Sequence, residues 1–108
     1  MQLAAQVYRS TTTFPSDERF GLTNQLRRCA VSIPSNIAEG KGRLTQGELM
    51  HFLGVARGSA LELQTQLELA LMLDFGDREK LKSAHSLATE VVKMLNASLT
   101  TMRERKSR

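Results

Sequence analysis

Tryptophan is absent from these 108 residues, Tyr8 is the only tyrosine, and phenylalanine occupies just four positions. So few aromatic side chains disfavour base stacking as a way of holding single-stranded nucleic acid. Cys29 stands alone, so no internal disulfide can form, and no charged-then-apolar leader opens the chain. Both features point to the cytoplasm. Proline is confined to Pro15 and Pro34, and the last third holds a single glycine, Gly76, which leaves room for long uninterrupted helices. The longest apolar runs, such as Leu69 to Leu73, fall far short of the roughly 20 residues of a membrane span. Strand-like alternation of apolar and polar residues is missing as well.

Leucine, alanine, methionine, glutamate, glutamine, lysine and arginine dominate instead, and these residues lose the least freedom in a helix. The expected fold is all-α: one domain over residues 1–108, an antiparallel up-and-down four-helix bundle. The first helix covers about 1–13, with Leu3, Val7, Thr11 and Phe14 on one face before Pro15 ends it. Ser16 then caps a turn that opens with Asp17 and Glu18. A second helix runs over about 22–40 on the stripe Leu22, Leu26, Cys29, Ile33 and Ile37, with a kink or strained turn expected at Pro34. Gly40, Lys41 and Gly42 form the connection.

The third helix, about 45–74, opens on a Thr45/Glu48 capping box and repeats Leu49, Leu53, Ala56, Ala60, Leu63, Leu67 and Ala70 at alternating steps of four and three. Gly76 is expected to end it in a left-handed conformation. The fourth, about 77–102, turns Leu81, Ala84, Ala88, Val91, Leu95, Leu99 and Met102 inward and Lys82, Glu90 and Lys93 outward. Residues 103–108 read as a frayed basic tail.

The formal charge of +4 is unevenly spread. Residues 1–43 carry six cations against three acids, 44–74 one against four, and 75–108 eight against four, so an acidic helix lies between basic ones. Arg27, Arg28, Lys41, Arg43 and Arg57 are the candidate contacts to nucleic-acid phosphates, a mode that gives salt-sensitive and weakly sequence-specific binding. The bland alternative is a solvated basic face. A second line, Gln25, Ser32, Asn36, Glu39 and Arg43, runs beside the apolar stripe of the second helix. It is either exposed to water or a hydrogen-bonded seam between helices or subunits. Gly54, Gly58 and Ser59 are poor helix formers in mid-helix, which a close approach of a helix or subunit would justify.

Enzymatic chemistry finds little footing. Glu48 and His51 share the Glu-x-x-His spacing of di-iron bundles, but His85 has Lys82 where the second glutamate should stand, so neither metal nor cofactor is expected. Gly40-Lys41-Gly42-Arg43 is basic and glycine-rich, yet it lacks the Walker pattern and follows a helix. Cys29 sits on an apolar stripe and reads as a small core residue, with Arg27 and Arg28 directed elsewhere.

Phe14-Pro15-x-x-Glu18-x-Phe20-Gly21-Leu22, Gln25-x-Arg27-Arg28, Ser32-Ile33-Pro34-Ser35-Asn36-Ile37-Ala38-Glu39-Gly40, Ala56-Arg57-Gly58-Ser59 and Glu62-Leu63-Gln64-Thr65-Gln66-Leu67 together resemble one family. It is the four-helix bundle family of intervening sequences in bacterial large-subunit ribosomal RNA genes. The resemblance implies a ring-like homopentamer with a basic surface. A similar bundle, the accessory protein of diversity-generating retroelements, associates with reverse transcriptase and nucleic acid. By that analogy RNA or DNA, a reverse transcriptase or another protein are the implied partners. The chain departs from the family at its start. Family members have a longer first helix with an aromatic near its beginning, whereas Met1 lies only a few turns before Phe14, a difference that would weaken packing or assembly. Two functions follow as expectations: a homo-oligomeric nucleic-acid-associated protein, or a protein-interaction scaffold whose arginines pair with the acidic third helix of another subunit.

Overall fold

A computed structural model describes residues 2–18 and 21–107, with side chains through 105; Met1, Arg19, the motif's Phe20 and the end of the basic tail fall outside it. Four α-helices, α1 (Gln2–Thr11), α2 (Leu22–Lys41), α3 (Gln46–Met72) and α4 (Arg78–Ser107), and one 3-10 turn (Ser16–Glu18) account for all regular structure among the described residues. The molecule measures 50 × 20 × 18 Å, the length set by α3 and α4, which at 1.5 Å per residue extend about 40 and 45 Å.

Cross-helix contacts fix the topology. On α3, Arg57, Gln64 and Glu68 hydrogen-bond Asn96, Thr89 and His85 of α4, so numbers rise on one helix as they fall on the other. Ser32 of α2 meets Ser59 of α3, and Gly40 lies against Leu49, which gives the same opposed running. The helices form a bundle in which α3 packs between α2 and α4, while α1 packs on α2 and α4.

The expected stripes become the core. Leu26, Ala56, Ala60, Leu63, Leu67, Ala70, Leu81, Ala84 and Ala88 are fully buried. One register drifts: Val92, not Val91, is buried on α4, and Val91 is half-buried beside it. A straight helix turns slightly less per residue than a heptad repeat requires, so an inward position slides to the next residue along a long helix.

Several local expectations are corrected. α1 ends at Thr11, and Phe14 reaches the core from the turn beyond it. α2 passes through Pro34 without a break, and the strained turn expected there does not occur; Asp74 and Gly76 are the left-handed residues among those described. α2 also continues past Gly40 to Lys41, with Gly42 as its right-handed C-cap. Gly40 is buried because a Cβ there would stand 3.0 Å from Phe52 and 3.1 Å from Leu49, so its small size lets α2 close on α3.

Gly76 is indeed left-handed, but α3 stops earlier. The Phe75 amide donates to the Ala70 carbonyl and that of Asp74 to Leu71, the bonds of a Schellman stop with Asp74 (φ 56°) in the left-handed place. The basic end is helical through Ser107 rather than frayed. Arginine, glutamate and lysine are good helix formers and cations favour a helix C-terminus, while Gln46 reaches across to donate to the Met102 carbonyl.

Candidate nucleic-acid interface

The helices that carry the candidate cations start on different caps. At α3, the Thr45 hydroxyl accepts from the Glu48 amide at 3.2 Å, the expected cap. At α2 the acceptor is Glu18, whose carboxylate takes the Leu22 amide at 3.2 Å; a Cβ on Gly21 would lie 2.6 Å from that carboxylate. A negative group here satisfies a free amide and suits the positive end of the helix dipole.

Of the five candidate phosphate contacts, three are engaged within the chain. Arg27 donates to the Thr11 hydroxyl at 2.8 Å and stacks over the Tyr8 ring at 4.7 Å, tying α2 to α1. Arg43 pairs with Glu39 at 2.6 Å and covers the Phe52 ring at 4.8 Å. Arg57 donates to Asn96 and joins α3 to α4. Arg28 and Lys41 are exposed, with no hydrogen-bond or ion-pair partner among the described residues. Sequence order places all five within thirty-one residues, but it carries no sign that the acceptors of Arg27 and Arg57 lie on other helices.

The polar line on α2 divides in the same way. Ser32 Oγ lies 3.0 Å from Ser59 Oγ, and Asn36 donates to the Ser32 carbonyl and hydroxyl at 2.8 and 2.9 Å. This accounts for Ser59 in mid-helix. Gln25 is exposed, and Glu39 bonds along its own helix to Arg43.

The glycines of α3 have a different setting. A Cβ at Gly47, Gly54 or Gly58 would meet no described atom within 4 Å, so none of the described helices approaches them closely. At helical spacing these three share the outward face with Leu61, Thr65 and Met72, and Glu62 and Glu68 border it. Leu61 is 37% exposed and Met72 80%.

Among the described residues no three His, Cys, Asp or Glu side chains converge. His51 lies edge-on to Phe52 instead, and Gly40 and Lys41 are helical, so no glycine loop cradles a phosphate. Burial pushes the Cys29 thiol up from its ordinary value, and Glu62 facing it from α3 adds to the shift. Cys29 is therefore a protonated core group, and its carboxylate neighbour on α3 is not foretold by the apolar stripe of α2. No described helix is long and apolar enough to cross a membrane.

Four α-helices without strands, packed side by side on one apolar core, define an all-α bundle protein. More particularly, the chain belongs to the 23S rRNA-intervening sequence protein family, whose sequence profile matches residues 1–97. It is similar in fold to a solved protein of unknown function from the S23 ribosomal protein family of Bacteroides thetaiotaomicron. The two share 24% identity over 91% of this chain and 92% of the other, with a TM-score of 0.80. No curated protein matches the chain.

Proposed function

We propose that this protein is a non-enzymatic, cytoplasmic bundle that assembles with itself through the outward face of α3 and holds the backbone of RNA or DNA on the cations of α2 and α4. The observation that carries the reading is the open space at Gly54 and Gly58 on the outward face of α3. Each mid-helix glycine costs a helix up to about 1 kcal/mol relative to alanine, and no described residue uses the space they leave. Docking of a second copy would use it, with Leu61 and Met72 as apolar contacts. A closed ring, pentameric by the family resemblance, would repeat the contact. It would also cover the acidic helix and leave Arg28 and Lys41 toward solvent.

The two halves are tested separately. Gly58→Ala strengthens α3 in an isolated subunit but intrudes on a close-packed interface. Sedimentation velocity should show weaker assembly in Gly54→Ala/Gly58→Ala, and unchanged assembly would refute the α3 contact. Fluorescence anisotropy with an RNA hairpin and a DNA duplex over a range of salt should give a steep log–log slope. Arg28→Glu and Lys41→Glu should each lower it by about one, with Arg27→Gln affecting stability more than binding. A flat salt dependence would remove nucleic acid from the account.

The internal engagement of Arg27, Arg43 and Arg57 favours a second reading, a protein scaffold that binds no nucleic acid. Intact assembly together with absent binding at low salt would select it.

A further inference from the structure

Two surfaces of the chain hold exposed apolar side chains inside a rim of one charge, and the two rims are opposite in sign. The first lies on α1 and α2. Arg27 lays its guanidinium over the Tyr8 ring at 4.7 Å, and Val31 follows one turn further along α2; Tyr8 is 44% exposed and Val31 43%. Arg9, next to Tyr8, donates to Gln6 one turn back on its own helix. No acid occurs from Gln2 to Thr11 or from Leu22 to Ala38. Asp17 and Glu18 stand in the turn between, where the Glu18 carboxylate accepts from the Leu22 amide. The second surface is the C-terminal half of the outward face of α3. Leu61, Leu69 and Met72 are exposed there, Glu62 and Glu68 border them, and no lysine or arginine occurs from Gly58 to Asp74. Glu62 accepts from Gln66 and Glu68 faces His85, but among the described residues neither pairs with a lysine or arginine.

We infer that these surfaces are the two sides of one contact: the Leu61–Met72 stretch of α3 in one copy docks on the Tyr8/Val31 patch of the next, with Glu62 and Glu68 against Arg9 and Arg27. The inference rests on the reading of α3 as the assembly face and names what that face meets. Charge selects the pairing. Two α3 faces brought together would set glutamates against glutamates, and two α1–α2 patches would set arginines against arginines, both of which like charges disfavour. The unlike pairing closes opposite rims around an apolar centre. Tyrosine and arginine are also the side chains that most often anchor an interface. Arg27 is already held by Thr11 and Tyr8, so it loses little freedom on docking. Because the two surfaces differ, copies join head to tail and add in one direction until a ring closes. Arg28 and Lys41, the cations of the nucleic-acid reading, are not among these contacts.

The test blocks one surface at a time in the full chain. Arg9→Gln/Val31→Glu alters the first and Leu69→Arg/Met72→Arg the second, all four positions being exposed, so circular dichroism should show an unchanged helix content. In sedimentation velocity each double variant should associate about tenfold more weakly than the natural chain, or less. Mixed in equal amounts, at a concentration where each is monomeric alone, the two should form a one-to-one pair, since the first keeps its α3 face and the second its Tyr8/Val31 patch. Val31→Lys alone should weaken association less than Val31→Glu, because the α3 rim it meets is acidic. Unchanged assembly in Arg9→Gln/Val31→Glu, with dissociation in Leu69→Arg/Met72→Arg, would overturn this contact and leave the α3 reading in place. Unchanged assembly in Leu69→Arg/Met72→Arg would overturn both. A mixture that stays monomeric, or equal effects of Val31→Lys and Val31→Glu, would overturn the pairing of unlike surfaces.

Discussion

Replacing Gly76 by alanine isolates two physical effects at one atom. The residue sits at φ +66°, and a Cβ added there would lie 2.7 and 2.8 Å from the Phe14 ring and 3.0 Å from the Ser10 carbonyl oxygen. The left-handed conformation costs an L-residue about 1–2 kcal/mol. Overpacking of a ring held against its neighbours adds about 1–3 kcal/mol; Phe14 cannot simply swing aside, because it packs edge-on against Phe75 at 5.7 Å between centroids. The sum is about 2–5 kcal/mol, and for a chain of 108 residues that lowers Tm by about 10–20 °C. Urea unfolding at a fixed protein concentration measures it. In a Phe14→Leu background the ring is gone, so Gly76→Ala should then cost only the backbone share, about 1–2 kcal/mol. A cost below about 1 kcal/mol in the natural chain, or an equal cost in both backgrounds, would refute the contact as the reason for this glycine.

Asp74→Gly should stabilise the protein by about 0.5 kcal/mol, since relief of a left-handed non-glycine residue outweighs the added freedom of the unfolded chain; thermal melts that move downward would contradict this. The Arg78 pair lost with Asp74 is exposed and contributes little. Cys29 should make stability fall above about pH 9. There the unfolded thiol has lost its proton while the buried one keeps it, so the unfolded state binds fewer protons and gains with rising pH. The thiol's contribution is whole below that pH and disappears as pH climbs through the raised folded value. Urea midpoints between pH 7.5 and 10 should therefore drop more steeply in the natural chain than in Cys29→Ala, and parallel profiles would exclude the thiol as the cause.

The long helices were legible because Leu53, Ala56, Ala60, Leu63 and Leu67 repeat at steps that only one helical face satisfies, and because Thr45 carries its own capping signature. Errors gathered where a residue's partner is remote or the choice is between similar local states. Asp74 and Gly76 are two residues apart and both left-handed, and composition favours glycine as the stop. At the end of α4, charge suggested a solvated tail, whereas propensity and a hydrogen bond from Gln46, more than fifty residues away, keep it helical. The candidate interface suffered most. Arg27, Arg43 and Arg57 look alike as free cations along the chain; only the folded chain brings Thr11, Phe52 and Asn96 to them. Periodicity likewise reveals which face of α2 is apolar but not which helix covers it.

The brevity of α1 also sets the order in which the molecule comes apart. Ten residues are too few to remain helical alone in water, so this segment exists as a helix only while Leu3, Val7 and Phe14 are seated. Its release would uncover the side chains of α2 and α4 on which it packs, leaving a three-helix platform held by the α2–α3 and α3–α4 contacts. Amide exchange should reach residues 2–11 well before the middle of α3, and a protease that nicks the chain near Pro15 would turn a reversible opening into a permanent one.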